Sequence, residues 1–293
     1  MKKVLCIVNP VSGRMKIRTA LVDVLDQFEK AGYQTQVVIT QRSGYAAEIL
    51  ARCDSDTELV VCCGGDGTLS EVASALHKRG LSIPCGYIPS GSTNDFANCI
   101  GLLQEPTAAA QAIVAGHPET FDLGKFNQQY FIYIASFGAF SSASYSVPQS
   151  TKNALGHFAY VLGGIKDVKN IVPIQTAYEV DGVRREGEYV FGAVMNSTSI
   201  AGIVKLDSRL VNMNDGEFEV ILVKMPQSLA DLQKIIHSIT TSDFDNPMFE
   251  FFKTKEIQFD FEKEIPWSLD GEYCNGGERV RIQNVKDGIV IVK

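Results

Sequence analysis

The chain has 293 residues, of which 45% are hydrophobic and 21% charged, with a formal net charge of −7 at pH 7. These proportions exclude a disordered or fibrous chain, and the length favours two domains over one. The negative charge argues against general attraction to nucleic acid or to an anionic membrane surface. Seven cysteines, an odd number with no C-x-x-C spacing, resemble neither a disulfide framework nor a zinc site. Cys6, Cys62, Cys63 and Cys85 lie in apolar runs and read as small buried thiols of a reducing compartment. The apolar run after Met1-Lys2-Lys3 ends at Asn9-Pro10, too short for a signal peptide, so a cytoplasmic location is expected. No segment approaches the ~20 apolar residues of a membrane span, so any membrane contact should be peripheral.

Val4 to Val8 read as a strand ending in Asn9-Pro10-Val11-Ser12-Gly13-Arg14, which is either ordinary turn chemistry or a phosphate-binding loop. Ile17, Leu21, Val24, Leu25 and Phe28 follow helical spacing, with Gly32 as a stop. A strand from Thr35 to Ile39, then Thr40, leads to a helix over about Tyr45 to Cys53. Leu59 to Cys63 is a buried strand, and Leu69, Val72, Ala73 and Leu76 mark the helix after it. Between them lies Gly64-Gly65-Asp66-Gly67-Thr68. Glycines let backbone N–H groups approach a ligand, and the helix N-terminus favours negative charge, so this is a place for phosphate. Asp66 would repel a phosphate unless Mg²⁺ lay between them, so a nucleotide with its Mg²⁺ is expected. The alternative is a tight turn with Thr68 capping the helix. A fourth strand, Cys85 to Ile88, runs into Pro89-Ser90-Gly91-Ser92-Thr93-Asn94-Asp95 and another helix. Alternating strands and helices predict a doubly wound parallel sheet whose ligands bind at the carboxyl ends of the strands. All three turns then line one crevice if the strands are neighbours.

These residues resemble a known family. Asn9-Pro10-x-Ser12-Gly13, Gly64-Gly65-Asp66-Gly67-Thr68-x-x-Glu71-Val72 and Ile88-Pro89-x-Gly91-Ser92-x-Asn94-Asp95-Phe96-Ala97 are similar to the N-terminal blocks of the diacylglycerol kinase catalytic-domain family. The family includes soluble bacterial lipid kinases and, more distantly, sphingosine and ceramide kinases. The likeness extends to Asp122-Leu123-Gly124, Asn214-Asp215-Gly216-x-Phe218-x-Val220 and Leu269-Asp270-Gly271-Glu272, and so covers almost the whole chain. NAD kinases and phosphofructokinases share the fold and the glycine-aspartate turn. Ser92 stands where the family usually has Thr, and Ile200-Ala201-Gly202-Ile203-Val204 where many members carry more glycine. The resemblance implies an ATP- and Mg²⁺-dependent lipid kinase, with diacylglycerol the first choice of acceptor. A sphingoid base, ceramide, undecaprenol or a non-lipid polyol is the alternative. A regulator that binds without turnover is the reading from another class, which the carboxylates Asp66, Asp95, Asp215, Asp270 and Glu272 oppose.

From about Asp122 the pattern changes to strands with little helix between them: Tyr130 to Ile134, Thr176 to Val180, Tyr189 to Met195, Glu217 to Val223, Ile257 to Phe261 and Val280 to Ile282. Asp181-Gly182 and Asp287-Gly288 read as hairpin turns. The expectation is a nucleotide-binding domain over 1–121 and a mostly antiparallel β-sandwich over 122–293, whose last strand returns to the first domain by resemblance. One amphipathic helix, from Leu229 to Ile239, reads as core packing.

By spacing alone Asp215 is a turn residue. By resemblance it is the ligand of a structural Mg²⁺, with the carbonyls of Asn212 and Glu217, an oxygen set suited to a hard cation. Asp270-Gly271-Glu272 is either a solvated turn or, by similarity, the catalytic pair, with Asp270 as the base and Glu272 sharing or orienting that role. Asp122 and Arg14 complete the expected charge network. Asn9, Pro10, Ser12, Gly13, Thr40, Gly64, Gly65, Asp66, Gly67, Thr68, Glu71, Ser92, Asn94 and Asp95 make up the expected nucleotide set. Reaction is expected in the cleft between the domains, closed against water. The four histidines have no metal-ligand spacing and read as structural. Phe137 to Ile165 is either a flap admitting a lipid tail or an ordinary packed helix, with Lys166 and Lys169 beside it. The expected partner is a lipid at the inner face of a membrane, with no nucleic acid; exposed sandwich edges make a homodimer plausible.

Overall fold

The computed structural model describes residues 2–13, 15–138, 171–200, 204–205 and 211–293. Two compact units emerge: residues 1–123 together with 286–293, and residues 124–285.

The first unit alternates strands and helices: β1 (Lys2–Val8), α1 (Lys16–Lys30), β2 (Tyr33–Ile39), α2 (Tyr45–Ala51), β3 (Thr57–Gly64), α3 (Asp66–Lys78), β4 (Cys85–Pro89), α4 (Asp95–Cys99) and α5 (Pro106–Ala115). The strands are parallel in the order β2, β1, β3, β4. Residues 4–8 of β1 and 59–63 of β3 are buried apolar runs, as strands covered on both faces must be. On one face Val4, Cys6 and Val8 pack against Ile17, Val24 and Phe28 of α1 and Ala109, Ala110 and Ile113 of α5. Fully burying Phe28 contributes about 2–3 kcal/mol of hydrophobic stabilisation. α1 stops where Gly32 takes φ +82°, left-handed backbone that glycine adopts without strain. Because β2 and β3 flank β1 on opposite sides, the chain reverses its winding between β1 and β3. In an open α/β sheet that switch point is where a crevice forms at the carboxyl ends of the strands.

The second unit is antiparallel. β5 (Pro118–Phe126) enters it, followed by β6 (Gln129–Phe131), β7 (Ile134–Gly138), β8 (Ile174–Val180), β9 (Val183–Met195), the short pair β10 (Ser199–Ile200) and β11 (Val204–Lys205), then β12 (Phe218–Lys224) and α6 (Leu229–Thr241). β13 (Phe249–Thr254), β14 (Glu256–Phe261), β15 (Pro266–Leu269), β16 (Glu272–Asn275) and β17 (Arg279–Val292) complete the chain. β9 pairs with β8 along its first half and with β12 and β7 along its second, so one long strand serves both halves of the sandwich. Phe137 and Trp267 meet each other and Phe259 and Phe261 edge to face or tilted in the core, ring centroids 4.8–6.1 Å apart, while Phe259 and Phe261 stack at 6.0 Å. The outer face is polar, and there Asp260 takes Arg184 at 2.6 Å and Arg279 at 2.7 Å.

Several sequence expectations need correction. α3 begins at Asp66 itself, so Thr68 lies inside the first turn of the helix and does not cap it. The run from Tyr130 to Ile134 is broken into β6 and β7, because Asp270 captures the N–H groups of residues 132–134. Asp287-Gly288 is no hairpin: β17 runs straight through it, with Asp287 at φ +55° and its N–H bonded to Asp122. β13, β15 and β16 had no clear period-two signal, being short or, in β13, carrying phenylalanine on both faces.

Candidate active site

The three glycine-bearing turns meet at the switch point of the first unit. The loop after β1 is tied to β3 by Asn9 N–H to Cys63 O (2.8 Å), and Asn9 Nδ2 donates to Thr68 Oγ1 at 3.0 Å. Ser12 Oγ donates to Asn9 O at 3.0 Å and lies 3.1 Å from Ser90 Oγ in the turn after β4. Ser90 N–H in turn donates to Gly64 O at 2.8 Å. Glycine is required at these crossings: a Cβ on Gly91 would lie 2.6 Å from Gly65 Cα, and one on Gly13 would lie 2.5 Å from Ser90 O. Pro10 supplies its carbonyl to Arg18 Nε at 2.8 Å, anchoring the first loop to α1. The result is a backbone-lined floor backed by the N-terminus of α3, whose first N–H groups have no intrahelical acceptor. Ser92 is exposed at the rim.

Asp66 and Asp95 are both buried, 7% and 5% exposed. Asp66 faces inward: it accepts the N–H groups of Asp95 (2.9 Å) and Phe96 (3.3 Å) and thereby caps α4 from another element. Burial pushes its carboxyl up, and those donors pull in the opposite sense. The Asp95 carboxylate takes no hydrogen bond among the described residues. Burial first, and the charge of Asp66 second, push it up to about 6. Glu71 lies on α3 and accepts from Ser43 Oγ (3.1 Å) and Gly44 N–H (2.7 Å), while Thr40 N–H donates to Val8 O (2.8 Å). Both residues therefore hold the loop after β2 to the same end of the sheet. Asp122 is fully buried and accepts Asp287 N–H at 3.0 Å. Arg14 lies outside the described residues, as do residues 139–165 of the expected flap and the centre of the 200–204 segment.

In the second unit, Asp270 and Gly271 form the turn of the β15–β16 hairpin, at φ +49° and +87°. Asp270 is 5% exposed, and its carboxylate accepts N–H from Ile132 (2.7 Å), Tyr133 (3.0 Å) and Ile134 (3.1 Å). Three backbone donors tie this carboxylate to residues 132–134 and fix the hairpin turn in place. Glu272, two residues on, is exposed, and its carboxylate makes no hydrogen bond or ion pair among the described residues. Asn196 links the neighbouring parts: its N–H donates to Tyr133 O (3.0 Å) and its Nδ2 to Met213 O (3.4 Å) in the turn that carries Asp215. Asp215 Oδ1 accepts Glu217 N–H at 3.0 Å, and Oδ2 lies 3.3 Å from Lys253 Nζ. Lys253 also sits 3.1 Å from Glu219, a fully buried carboxylate on β12 whose Oε2 has no hydrogen-bond partner. The Glu217 carbonyl takes Asn284 Nδ2 at 3.3 Å, and the Asn212 side chain accepts Asn214 N–H at 3.1 Å.

The donor sets fit the groups the sequence implies. For a nucleotide, the first unit offers backbone N–H groups, hydroxyls and a floor that only glycine permits. For a hard cation, Asp95 beside Asp66 offers carboxylate oxygen in a site with excess negative charge. In the second unit Asp215 and Glu219 both face Lys253, and no group of three or more His, Cys, Asp or Glu able to hold a metal ion occurs among the described residues, so a cation there would draw on the carbonyls of Asn212 and Glu217 beside Asp215. Sequence reading missed Asn196, Glu219, Lys253 and Gln104. The signal for Glu219 was a lone carboxylate in Phe218-Glu219-Val220-Ile221-Leu222-Val223. His77 Nδ1 lies 3.3 Å from Gly288 O, which ties α3 to β17 and is a structural role.

Residues 3–126 match the family described as the diacylglycerol kinase catalytic domain, and residues 134–286 the YegS C-terminal NAD kinase beta sandwich-like domain. A diacylglycerol kinase of Bacillus subtilis is 33% identical over 279 residues, spanning 93% of this chain and 90% of the relative. One from Staphylococcus carnosus is 32% identical over 281 residues, spanning 94% and 90%. A crystal structure from Bacillus anthracis, itself provisionally assigned as a diacylglycerol kinase, superposes with a TM-score of 0.82 at 27% identity, covering 99% of this chain and 95% of that one.

Proposed function

The chain belongs to the diacylglycerol kinase catalytic-domain family, an ATP-dependent lipid kinase family, and we propose that it phosphorylates the free hydroxyl of diacylglycerol with Mg²⁺ as the metal. The observation that carries this reading is the meeting of the three turns at the β1/β3 switch point, where Gly65 and Gly91 lie back to back. A backbone-lined, hydroxyl-bearing floor of that kind suits a nucleotide's phosphates.

Each role follows from where a side chain is held. The turns at Asn9–Gly13, Gly64–Thr68 and Ser90–Asn94 orient the phosphates through backbone N–H groups and the hydroxyls of Ser12, Thr68 and Ser92. Asp95 would hold Mg²⁺ on the nucleotide, with Asp66 positioning it by capping α4. A cation held there would supply neutralisation of the charge on the transferred phosphoryl group. Asp215, with the carbonyls of Asn212 and Glu217, would hold a structural Mg²⁺. Glu272 accepts the proton from the acceptor hydroxyl as its oxygen bonds to the γ-phosphorus and the bond from that phosphorus to the bridging oxygen of ADP breaks, ADP leaving; it takes this role because its carboxylate is the exposed, uncommitted one of the pair. Asp270 positions Glu272 by locking the hairpin turn onto residues 132–134. No helix among the described residues is long and apolar enough to cross a membrane.

The test of the acceptor is a panel of diacylglycerol, monoacylglycerol, ceramide, sphingosine and undecaprenol in mixed micelles with ATP and Mg²⁺, products read by mass spectrometry. Phosphatidic acid as the main product supports the reading. Preferential phosphorylation of another lipid would move the acceptor while keeping the chemistry.

A further inference from the structure

We propose that Gln104, outside every motif in the sequence, is a positioning residue for the nucleotide site. With Asn98 it forms a polarised amide relay that sets the orientation of Asn94 and closes the third turn. This rests on the nucleotide reading given above. Asn94 is 7% exposed and sits at φ +53°, where a non-glycine residue stays only if its surroundings hold it. Its amide could face either way, since oxygen and nitrogen are nearly the same size, and only its partners decide. The relay starts at a group that can only accept: Asn98 Nδ2 donates to the Thr93 carbonyl at 2.9 Å. Asn98 Oδ1 is thereby turned to accept Gln104 Nε2 at 3.1 Å. Gln104 Oε1 then accepts Asn94 Nδ2 at 3.0 Å. Asn94 Oδ1 is left to take the Gly91 N–H, which can only donate, at 2.8 Å. Both ends lie in the turn between residues 91 and 93, so every amide in the series has one permitted orientation.

Gln104 is well placed for this. It precedes Glu105, whose carboxylate caps α5 by accepting the N–H groups of Thr107 (3.0 Å) and Ala108 (2.6 Å). The connection before it is closed by Leu102 N–H to Ala97 O at 2.8 Å. The relay thus refers the third turn to a capped helix packed on the sheet, and Gly91 is the residue whose backbone lies against Gly65.

The test compares wild type, Gln104→Leu and Gln104→Glu in three measurements: amide hydrogen exchange at Gly91 in nucleotide-free protein, the ATP dissociation constant by calorimetry, and Tm. Gln104→Leu removes the nearer acceptor of Asn94 Nδ2 and leaves it only Gly91 O at 3.4 Å. It should raise Gly91 exchange and weaken ATP binding roughly tenfold, the fold-change worth about 1.4 kcal/mol, with Tm within a few degrees of wild type. Gln104→Glu keeps an acceptor for Asn94 Nδ2 but loses the donor to Asn98 Oδ1, so it should fall between wild type and Gln104→Leu in both. A lower Tm in both variants with exchange and affinity unchanged would show a merely structural residue and overturn the relay. Wild-type protein that binds no ATP would overturn the nucleotide reading, and with it the purpose of the relay. Unchanged Gly91 exchange in Gln104→Leu, with ATP binding intact, would overturn the relay alone.

Discussion

The carboxylate of Asp66 receives the backbone N–H of Asp95 at 2.9 Å, so the first residue of α3 caps the helix that begins twenty-nine residues later. That bond and its neighbour from Phe96 fix the third turn relative to the second. Asp66→Ala leaves two buried N–H groups without an acceptor. It should cost about 1–2 kcal/mol of stability, the usual loss for a removed cap, and weaken ATP binding at least tenfold. Asp66→Asn keeps an acceptor for one N–H and should recover part of the stability. Urea unfolding and ATP calorimetry on the two variants check both effects.

Asp270 and Glu272 should separate cleanly. Glu272→Gln removes an exposed carboxylate with no partner among the described residues, so Tm should stay within a degree or two while turnover falls at least a hundredfold, the usual scale for a lost general base. Asp270→Ala leaves three backbone N–H groups without their acceptor and should cost about 2–4 kcal/mol, with turnover lost and nucleotide binding on the first unit kept. Thermal melts, steady-state rates and ATP titration of each variant read these outcomes. Unaltered turnover in Glu272→Gln would remove it as the base.

Lys253 bridges Asp215 at 3.3 Å and the fully buried Glu219 at 3.1 Å. Lys253→Met leaves Glu219 buried without its counter-charge. The cost should be about 2 kcal/mol, below the 3–5 kcal/mol typical of fully buried pairs because the lysine is itself partly exposed. Asp215→Ala should lower both Tm and activity. Wild-type Tm should fall when Mg²⁺ is removed, and a Tm indifferent to Mg²⁺ would count against Asp215 as a metal ligand.

Native thiol labelling at pH 8 should modify Cys53 and Cys99 and spare the rest. Cys6, Cys62, Cys63 and Cys85 are fully buried in the central strands, and burial pushes the Cys6 and Cys85 thiols up to about 12 and those of Cys62 and Cys63 well above the ordinary thiol value. The thiolate is the reactive form, so these groups are doubly protected. Cys274 is buried, its thiol also raised by burial, and it accepts Gln129 Nε2 at 3.1 Å. Mass spectrometry of alkylated protein with and without urea distinguishes the two sets.

What could be read in the sequence was whatever local chemistry dictates. Ile17, Val24 and Phe28 announced α1 through their spacing, and the glycine turns announced their sites because only glycine tolerates the close approach of Gly65 to Gly91. Partnerships between distant residues left no local trace. Asp270 looked like a solvated turn carboxylate or a catalytic base, yet its burial depends on residues 132–134, about 137 positions away in the chain. Asp287-Gly288 had the composition of a hairpin yet lies within the continuous strand β17, with Asp287 at positive φ and its N–H on Asp122. Glu219 interrupted an apolar run for a reason visible only once β13 brings Lys253 alongside.

The most direct measurement is transfer of labelled phosphoryl from γ-³²P-ATP to diacylglycerol in mixed micelles with Mg²⁺, run side by side for wild type and Glu272→Gln. The account expects labelled phosphatidic acid from wild type and at least a hundredfold less from the variant. A wild-type protein that binds ATP yet labels no lipid, or a Glu272→Gln variant as active as wild type, would contradict it.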